Sequence, residues 1–313
     1  MTLFLLRKLG TLAATLIAVS VIVFAVMNVL PGDPALVMLG LDSTPDAQAA
    51  LREALGLNAP VHIRYLDWAG AVLQGDFGVS YSFDIPVGDL IAERLPMTLA
   101  LAFMATLLTV TTALALGVFA AARHGRIADW GVMAISQLGI ALPAFWLAIL
   151  LVILFAVTLR LLPPGGFPGW EDPGAALTAL ILPTVSLTLV QAAILARVTR
   201  SSVLEVMRLD YARTARAKGL SRGAILRRHV LPNALIPIVT IIGLQIANLV
   251  TGTIVIENVF YLPGLGRLIF QSIANRDLPT VQALVLFFAA VVVVANFLVD
   301  LAYAAIDPRL RTG

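Results

Sequence analysis

The stretch ALIPIVTIIGLQIANLVTGTIVI, Ala234–Ile256, runs for 23 residues without a charged side chain. A helix needs about 20 mostly apolar residues to cross the hydrocarbon core of a bilayer. Outward from this stretch, five more segments meet the same requirement: Leu9–Leu30, Thr98–Ala121, Gly131–Leu159, Ala176–Ala196 and Val281–Val299. The sequence therefore predicts an all-α membrane protein with six transmembrane helices.

The composition of the whole chain agrees with this prediction. Only 12% of the 313 residues are charged and 60% are hydrophobic, whereas about a quarter of the residues in soluble domains are charged. Cysteine is absent, and His62, His124 and His229 lie far outside metal-ligand spacing. We therefore expect no metal site, no cofactor and no disulfide bond.

The first apolar stretch follows Arg7 and Lys8, so a signal peptide is an alternative to a membrane anchor. The stretch is longer than a usual signal-peptide core, and it ends in Pro31-Gly32-Asp33-Pro34 instead of a small-residue cleavage site. An uncleaved anchor is the favoured interpretation.

Basic residues are distributed unevenly between the two sets of loops. Fifteen of the 21 Lys and Arg residues lie on the side that holds both termini, and the acidic residues favour the opposite side. Loops that face the cytoplasm carry the excess of Lys and Arg. The sequence therefore predicts cytoplasmic N and C termini, and the net positive charge gives no reason to expect a nucleic-acid partner.

The predicted spans divide the chain into three segments. Residues 1–96 hold the first span and an extracytoplasmic segment, in which short helices are predicted at Asp46–Leu55 and Val61–Leu73. Residues 97–306 hold a five-helix core, and residues 307–313 form a cytoplasmic tail.

Proline and glycine mark further local features. Prolines inside three spans predict kinks, and these are Pro143, Pro183 and Pro237. Gly243 and Gly252 predict close approach of neighbouring helices. In the outside loop Asn258–Thr280, proline and glycine indicate a short re-entrant or surface turn.

The cytoplasmic segment 200–232 carries signals for two short helices. Ser202-Val203-Leu204-Glu205 has the form of a capping box, so a helix is predicted from there to the residue before Gly219. Gly219 is suited to the left-handed conformation of the residue just past the end of that helix. Ser221 can cap a second short helix, and Pro232 is expected to end this second helix. A solvated basic loop is the alternative, but two capped helices favour docking on a protein partner.

This segment resembles the EAA motif of permeases in binding-protein-dependent ABC importers. The motif of that family is Glu-Ala-Ala, three residues, Gly, nine residues, Ile, one residue and Leu-Pro. The matching positions are Ala215, Gly219, Leu231 and Pro232, and the replaced ones are Arg213, Thr214 and His229.

The sequence around these replaced positions is similar to that of the B-type subunits in the dipeptide, oligopeptide and nickel permease branch. The stretches that carry the likeness are Asp210–Leu220, Leu55-Gly56-Leu57 with Pro60 and Arg64-Tyr65, Gly75–Tyr81, Glu257–Gly266 and Asp307-Pro308-Arg309. The resemblance covers essentially the whole chain.

The resemblance implies a fold, a site and partners. The fold is the MetI-like core of a type I ABC importer permease in the bacterial inner membrane. The coupling site, which sits in a cleft of the ATPase, comprises Asp210, Ala215, Gly219, Leu220, Leu231 and Pro232. The partners are a second homologous permease subunit, two ATP-binding subunits, an extracytoplasmic substrate-binding protein and membrane lipid. Dipeptides or oligopeptides are the expected substrates, with nickel chelates, glutathione or opines as alternatives.

No enzymatic activity is expected of the chain itself. An ATPase would need the phosphate-binding loop Gly-x-x-x-x-Gly-Lys-Ser/Thr, but Lys8 precedes leucine, Lys218 precedes glycine, and no other lysine is present. No catalytic residue is predicted. An ATP-independent secondary transporter or channel is the alternative of a different class, and it would be expected to show inverted repeats or broken, charged helices.

Polar side chains within the spans are candidates for the translocation path, because hydrocarbon disfavours them. Gln245 and Asn248 lie three residues apart on one face of the fifth span, and together with Asn296 they form the predicted path lining. The alternative is that these amides form hydrogen bonds between helices. Asp300, the one charge within a predicted span, is expected to be partly hydrated or paired with another subunit.

Overall fold

The computed structural model describes residues 2–29, 35, 39–40, 43–54 and 56–306. Within these residues the regular structure is helical, apart from one antiparallel bridge between Val79 and Pro86. The chain forms two compact units, one of Thr98–Leu262 with Ala295–Gly313 and one of Thr2–Met97 with Pro263–Val294. The all-α prediction is confirmed. The motif Asp307-Pro308-Arg309 and the side chain of Asp300 lie outside the described residues.

The N-terminal part of the second unit contains α1 (Thr2–Val29), α2 (Pro45–Ala54) and α3 (Val61–Leu73). The ring of Phe24 on α1 packs against the rings of Tyr65 and Trp68 on α3, at centroid distances of 5.4 and 5.7 Å. Pro45 is the first residue of α2, and Pro60 directly precedes α3. Proline is favourable at a helix start, because the first N–H groups of a helix have no partner within it. The two predicted short helices are therefore present.

The outside loop Asn258–Thr280 contains a helix, α11 (Leu265–Ala274), where the sequence predicted a turn. Leu265, Leu268 and Ile269 are buried on one face of it. This spacing of three and four residues defines an amphipathic helix. Of the residues that suggested a turn, Pro263 and Gly264 lie just before this helix, Gly266 lies within it and Pro279 follows it.

The first unit holds most of the long helices. They are α4 (Val87–Ala122), α5 (Ile127–Ala141), α6 (Ala144–Leu151) with a π-helical segment (Val152–Thr158), α7 (Pro173–Met207), α10 (Leu231–Val259) and the end of α12 (Leu278–Ile306). Five helical segments of the described chain are long and apolar enough to cross a membrane, and α5 with α6 makes a sixth if this bent pair counts as one span. With this bent pair counted as one span, the structure has the six candidate spans that the sequence predicted.

The third predicted span, Gly131–Leu159, is broken. The axes of α5 and of α6 with its π segment differ by 105°. Leu142 is extended, with ψ 131°, because the ring of Pro143 disfavours a helical residue before it. The predicted kink at Pro143 is therefore a full break, whereas Pro183 and Pro237 lie inside uninterrupted helices.

Two glycines allow the close helix contacts that the sequence predicted. A Cβ atom on Gly243 would overlap Cγ2 of Val299, and one on Gly252 would lie 3.2 Å from Cδ2 of Leu187. A larger residue at position 243 would therefore displace Val299, whereas one at position 252 would need only a small shift of the Leu187 side chain.

The helix start predicted at Ser202 is wrong. Ser202 is buried inside α7, which continues to Met207, and the next helix, α8, spans Asp210–Ala217. Leu195, Thr199 and Val203 continue a buried stripe along α7. Packing of this stripe outweighs a capping signal that is worth about 1 kcal/mol.

The expected helix end before Pro232 is also wrong. Helix α9 (Arg222–Ile225) passes through a second π-helical segment (Leu226–Val230) directly into α10. Pro232 lacks an N–H and its ring crowds the carbonyl group four residues earlier. The wider π turn lies where this conflict would arise, and the side-chain amide of Asn233 donates to the carbonyl oxygen of His229 at 2.8 Å.

Candidate site for coupling and translocation

The predicted coupling residues lie on one compact hairpin, Arg208–Pro232, between α7 and α10. Ala212 and Ala215 lie three residues apart on α8, and both are buried. They pack in an apolar cluster with Val203 of α7 and with Val230. Because alanine side chains are small, α8 lies close against the end of α7, and the hairpin is an ordered part of the first unit.

Gly219 makes the corner of the hairpin. Its φ is +83°, a conformation that costs glycine nothing but strains other residues. The amide of Leu220 donates to the carbonyl oxygen of Ala215 at 3.3 Å, and the amide of Gly219 donates to that of Arg216 at 3.0 Å. These two bonds form a Schellman motif, and half-buried Leu220 packs on the apolar cluster.

The second arm of the hairpin begins as the sequence predicted. The hydroxyl oxygen of Ser221 accepts a hydrogen bond from the amide of Ala224 at 3.3 Å, which caps α9. Ile225 of α9 is buried in the apolar cluster and Leu231 is packed against it, while Pro232 is exposed. Apolar residues of both arms therefore point into the protein.

The outer surface of the hairpin is polar and mostly basic. Asp210 is almost fully exposed and forms a 3.7 Å ion pair with Arg213 on the same helix. The exposed basic residues are Arg208, Arg213, Arg216, Lys218, Arg222, Arg227 and Arg228. The small apolar residues Ala212 and Ala215 of α8 are packed inward, and the outer surface of the hairpin carries a net positive charge.

The three predicted path-lining residues lie in different environments. Gln245 is buried, and its Nε2 donates to the carbonyl oxygen of Gln191 on α7 at 3.0 Å. Asn248 and Asn296 are exposed. Gln245 thus forms the interhelical hydrogen bond that the sequence left as the alternative, and the path-lining role of Asn248 and Asn296 stays a prediction.

A crevice of about 530 Å³ lies beside the broken span. Ile149, Val152 and Ile153 line one wall, and Gly165 and Tyr261 lie opposite. The amide of Gly166 donates to the carbonyl oxygen of Phe260 at 2.7 Å. A Cβ atom on Gly165 would lie 2.6 Å from that same oxygen, so the loop there is pressed against the end of α10.

An ion pair joins α5 to α7 and was missed in the sequence. Arg200 donates from Nε to Oδ1 of Asp129, and from Nη2 to Oδ2 at 2.8 Å. The amide of Gly125 donates to Oδ2 at 3.0 Å, and Nδ1 of His124 lies 3.2 Å from the same oxygen. The two charged residues are 71 positions apart, so no spacing rule could have paired them.

Among the residues that the structure describes, no three His, Cys, Asp or Glu side chains lie together as a metal site would require. Among the polar contacts of the first unit, those of the hairpin hold α8 to its own turn, the Asp129–Arg200 pair joins α5 to α7, and the Gln245 amide joins α10 to α7.

Comparisons with known proteins agree on one family across the chain. Residues 113–312 match the family "Binding-protein-dependent transport system inner membrane component", and residues 1–102 match the N-terminal domain of such membrane components. A relative in Sinorhizobium fredii, named "Probable peptide ABC transporter permease protein y4tP", is 40% identical over 99% of this chain and 100% of its own length. The glutathione transport system permease protein GsiC of Salmonella typhimurium is 41% identical over 98% of both chains.

A solved structure of the MetNI methionine ABC transporter contains a similar fold. The TM-score is 0.58, and the alignment covers 70% of this chain and 96% of that one at 20% identity. At this identity the likeness concerns the fold alone.

Proposed function

The chain belongs to the binding-protein-dependent transport system inner membrane components, and from that premise we propose that it imports short peptides with energy from ATP hydrolysed by another chain. It is a permease subunit of an ABC importer and resides in the bacterial inner membrane. Half of the translocation pathway would be formed by its own helices, with residues 97–306 as the core.

The hairpin Arg208–Pro232 carries the proposal of coupling to an ATPase. Its inner face is fixed by Ala212 and Ala215, its corner by the left-handed Gly219, and its outer face is exposed and basic. The hairpin is continuous with the end of α7 and the start of α10, so a displacement of this rigid element would move both helices. The residues proposed for coupling are Asp210, Ala215, Gly219, Leu220, Leu231 and Pro232. The exposed Asp210, Gly219 and Pro232 would face the ATPase, and Ala215, Leu220 and Leu231 would hold the hairpin from inside.

The proposed assembly contains a second homologous permease, two ATP-binding subunits and an extracytoplasmic substrate-binding protein. The excess of basic residues on one side supports cytoplasmic termini, with the hairpin on the ATPase side. Closure and opening of the ATPases would then switch the permease pair between outward-facing and inward-facing states. The chain itself would act without enzymatic activity, since neither of its two lysines fits a phosphate-binding loop.

Peptides are the proposed substrate because full-length relatives at 40% identity carry that name. Glutathione, itself a small peptide, is the second candidate, because GsiC is 41% identical. Nickel chelates and opines remain alternatives that no residue of the site favours.

The test begins with purification of the chain in mild detergent from its native membrane, followed by mass spectrometry of co-purifying proteins. We expect a second six-span permease and one or two proteins with phosphate-binding loops. Reconstituted in liposomes with its binding protein, the complex should take up a labelled dipeptide only with ATP, and excess glutathione or nickel chelate should compete weakly. A chain that purifies alone and moves solute without ATP would contradict the proposal.

A further inference from the structure

We propose that Asp129 and Arg200 are positioning residues for transport, which hold α5 to α7 so that a displacement of the coupling hairpin reaches the broken span. The inference rests on the proposed function, because it takes the hairpin Arg208–Pro232 as the contact with the ATPase. It concerns two residues that touch neither the ATPase contact nor the crevice.

Two hydrogen bonds between Arg200 and Asp129 fix the position of α5 relative to α7 at this point. Both carboxylate oxygens of Asp129 accept from the planar guanidinium group of Arg200, and Gly125 adds a backbone donor. The Asp129 side chain is only 4% exposed. A fork of two parallel bonds fixes orientation as well as distance, and loss of one partner would leave a buried charge uncompensated.

A second contact joins the same two helices further along. A Cβ atom on Gly139 of α5 would lie 3.2 Å from Cβ of Ala193 on α7. Asp129 and Gly139 are ten residues, or about 15 Å, apart along α5. The ion pair and this close approach therefore place α5 against α7 at two points along its length.

The two helices connect the hairpin to the crevice. Helix α7 ends at Met207, just before the hairpin, and Val203 near that end shares an apolar cluster with Ala212 and Ala215. Helix α5 ends at the break before Pro143, beyond which Ile149, Val152 and Ile153 line the crevice. A force on the hairpin therefore has a continuous path through α7, the ion pair and α5 to the crevice wall.

The chemistry of the pair supports a role beyond packing. Asp129 is buried beside Arg200 near the first turn of α5, and removing a charge from water costs free energy. Apolar residues of similar volume often replace a buried ion pair without loss of stability. An oriented fork, by contrast, sets one defined arrangement of the two helices, which a movement transmitted over this distance requires.

The experiment uses the complete importer in liposomes and measures substrate uptake per ATP hydrolysed. Arg200→Lys keeps the charge but loses the fork, and Asp129→Asn keeps the shape but loses the charge. The control is Arg126→Gln, an exposed residue three positions from Asp129. We expect both test variants to assemble with the ATPases while uptake per ATP falls at least about fivefold, the lower range of coupling between sites, and the control to match the wild type.

Unchanged uptake per ATP in both variants would overturn the inference, even if the complex became less stable. Failure of both variants to assemble would also overturn it, because the pair would then be a determinant of folding and not of coupling. Failure of the proposed function is distinguishable from either result, since it would appear as absence of the ATPases from the purified wild-type chain.

Discussion

The carboxylate of Asp277 accepts a hydrogen bond from the hydroxyl group of Ser80, which lies 197 positions earlier in the chain. The same carboxylate accepts from the amide of Tyr81 at 3.0 Å and from the hydroxyl group of Thr280 at 2.9 Å. Ser80, Asp277 and Thr280 are all buried. Asp277 therefore fastens the loop before α4 to the first turn of α12.

Replacement of Asp277 with alanine is expected to destabilise this joint. Ser80 and Tyr81 would lose their acceptor, and an unsatisfied buried donor costs about 1–3 kcal/mol. Thermal unfolding of the purified protein in detergent should show a lower midpoint for Asp277→Ala. The exposed Ser82 supplies the control, Ser82→Ala, and equal midpoints for both variants would contradict the assignment.

Features set by local chemistry were predictable from the sequence. The left-handed Gly219, the Ser221 cap and the interruption at Pro143 each depend on one residue and its nearest neighbours. The length and apolar character of the spans were likewise sufficient to locate the long helices but not their ends: α4 begins eleven residues before the predicted Thr98, and α7 continues eleven residues beyond the predicted Ala196.

Features set by packing between distant segments were not predictable. The capping signal at Ser202 is overridden because the buried stripe of α7 runs on through Val203. The pairs Asp129–Arg200 and Ser80–Asp277 join segments 71 and 197 residues apart, and no spacing rule links partners at such distances. Within the spans, polarity alone could not separate buried Gln245 from exposed Asn248.

Gln245 and Asn248 are predicted to differ in what they contribute. Gln245→Ala should lower the unfolding free energy by about 0.6 to 2 kcal/mol, because it removes the hydrogen bond from α10 to α7. Asn248→Ala should leave stability unchanged, since the side chain is exposed, and should raise the KM for uptake if this amide lines the path. Thermal unfolding and uptake kinetics of the two variants check both statements. A stability loss for Asn248→Ala, without one for Gln245→Ala, would reverse the assignment.

Gly117 is predicted to be a contact point where no larger residue fits. A Cβ atom there would lie 2.5 Å from Cβ of Thr199 and 2.7 Å from the carbonyl oxygen of Ala196. Gly117→Ala should therefore destabilise the protein by about 1–3 kcal/mol, the usual cost of overpacking. Gly131→Ala is the matched helical control, since no atom lies within 4 Å of the added Cβ. Similar unfolding midpoints for the two variants would show that α4 and α7 can separate freely at this point.

Gly219→Val is predicted to uncouple the chain from its ATPase. Open space surrounds Gly219, so the effect would come from its φ of +83°, which a β-branched residue adopts only at a cost of about 1–3 kcal/mol. We expect normal membrane insertion, loss of the co-purifying ATPase and loss of uptake.

Gly75→Val is the matched control for this variant, because Gly75 has the same φ of +83° and equally open surroundings outside the hairpin. It carries the same backbone strain and should keep the ATPase bound. If Gly219→Val also retains the ATPase and takes up substrate at the wild-type rate, the corner is not needed for coupling. Loss of the ATPase from both variants would mean that strain alone, wherever it is placed, disrupts the assembly.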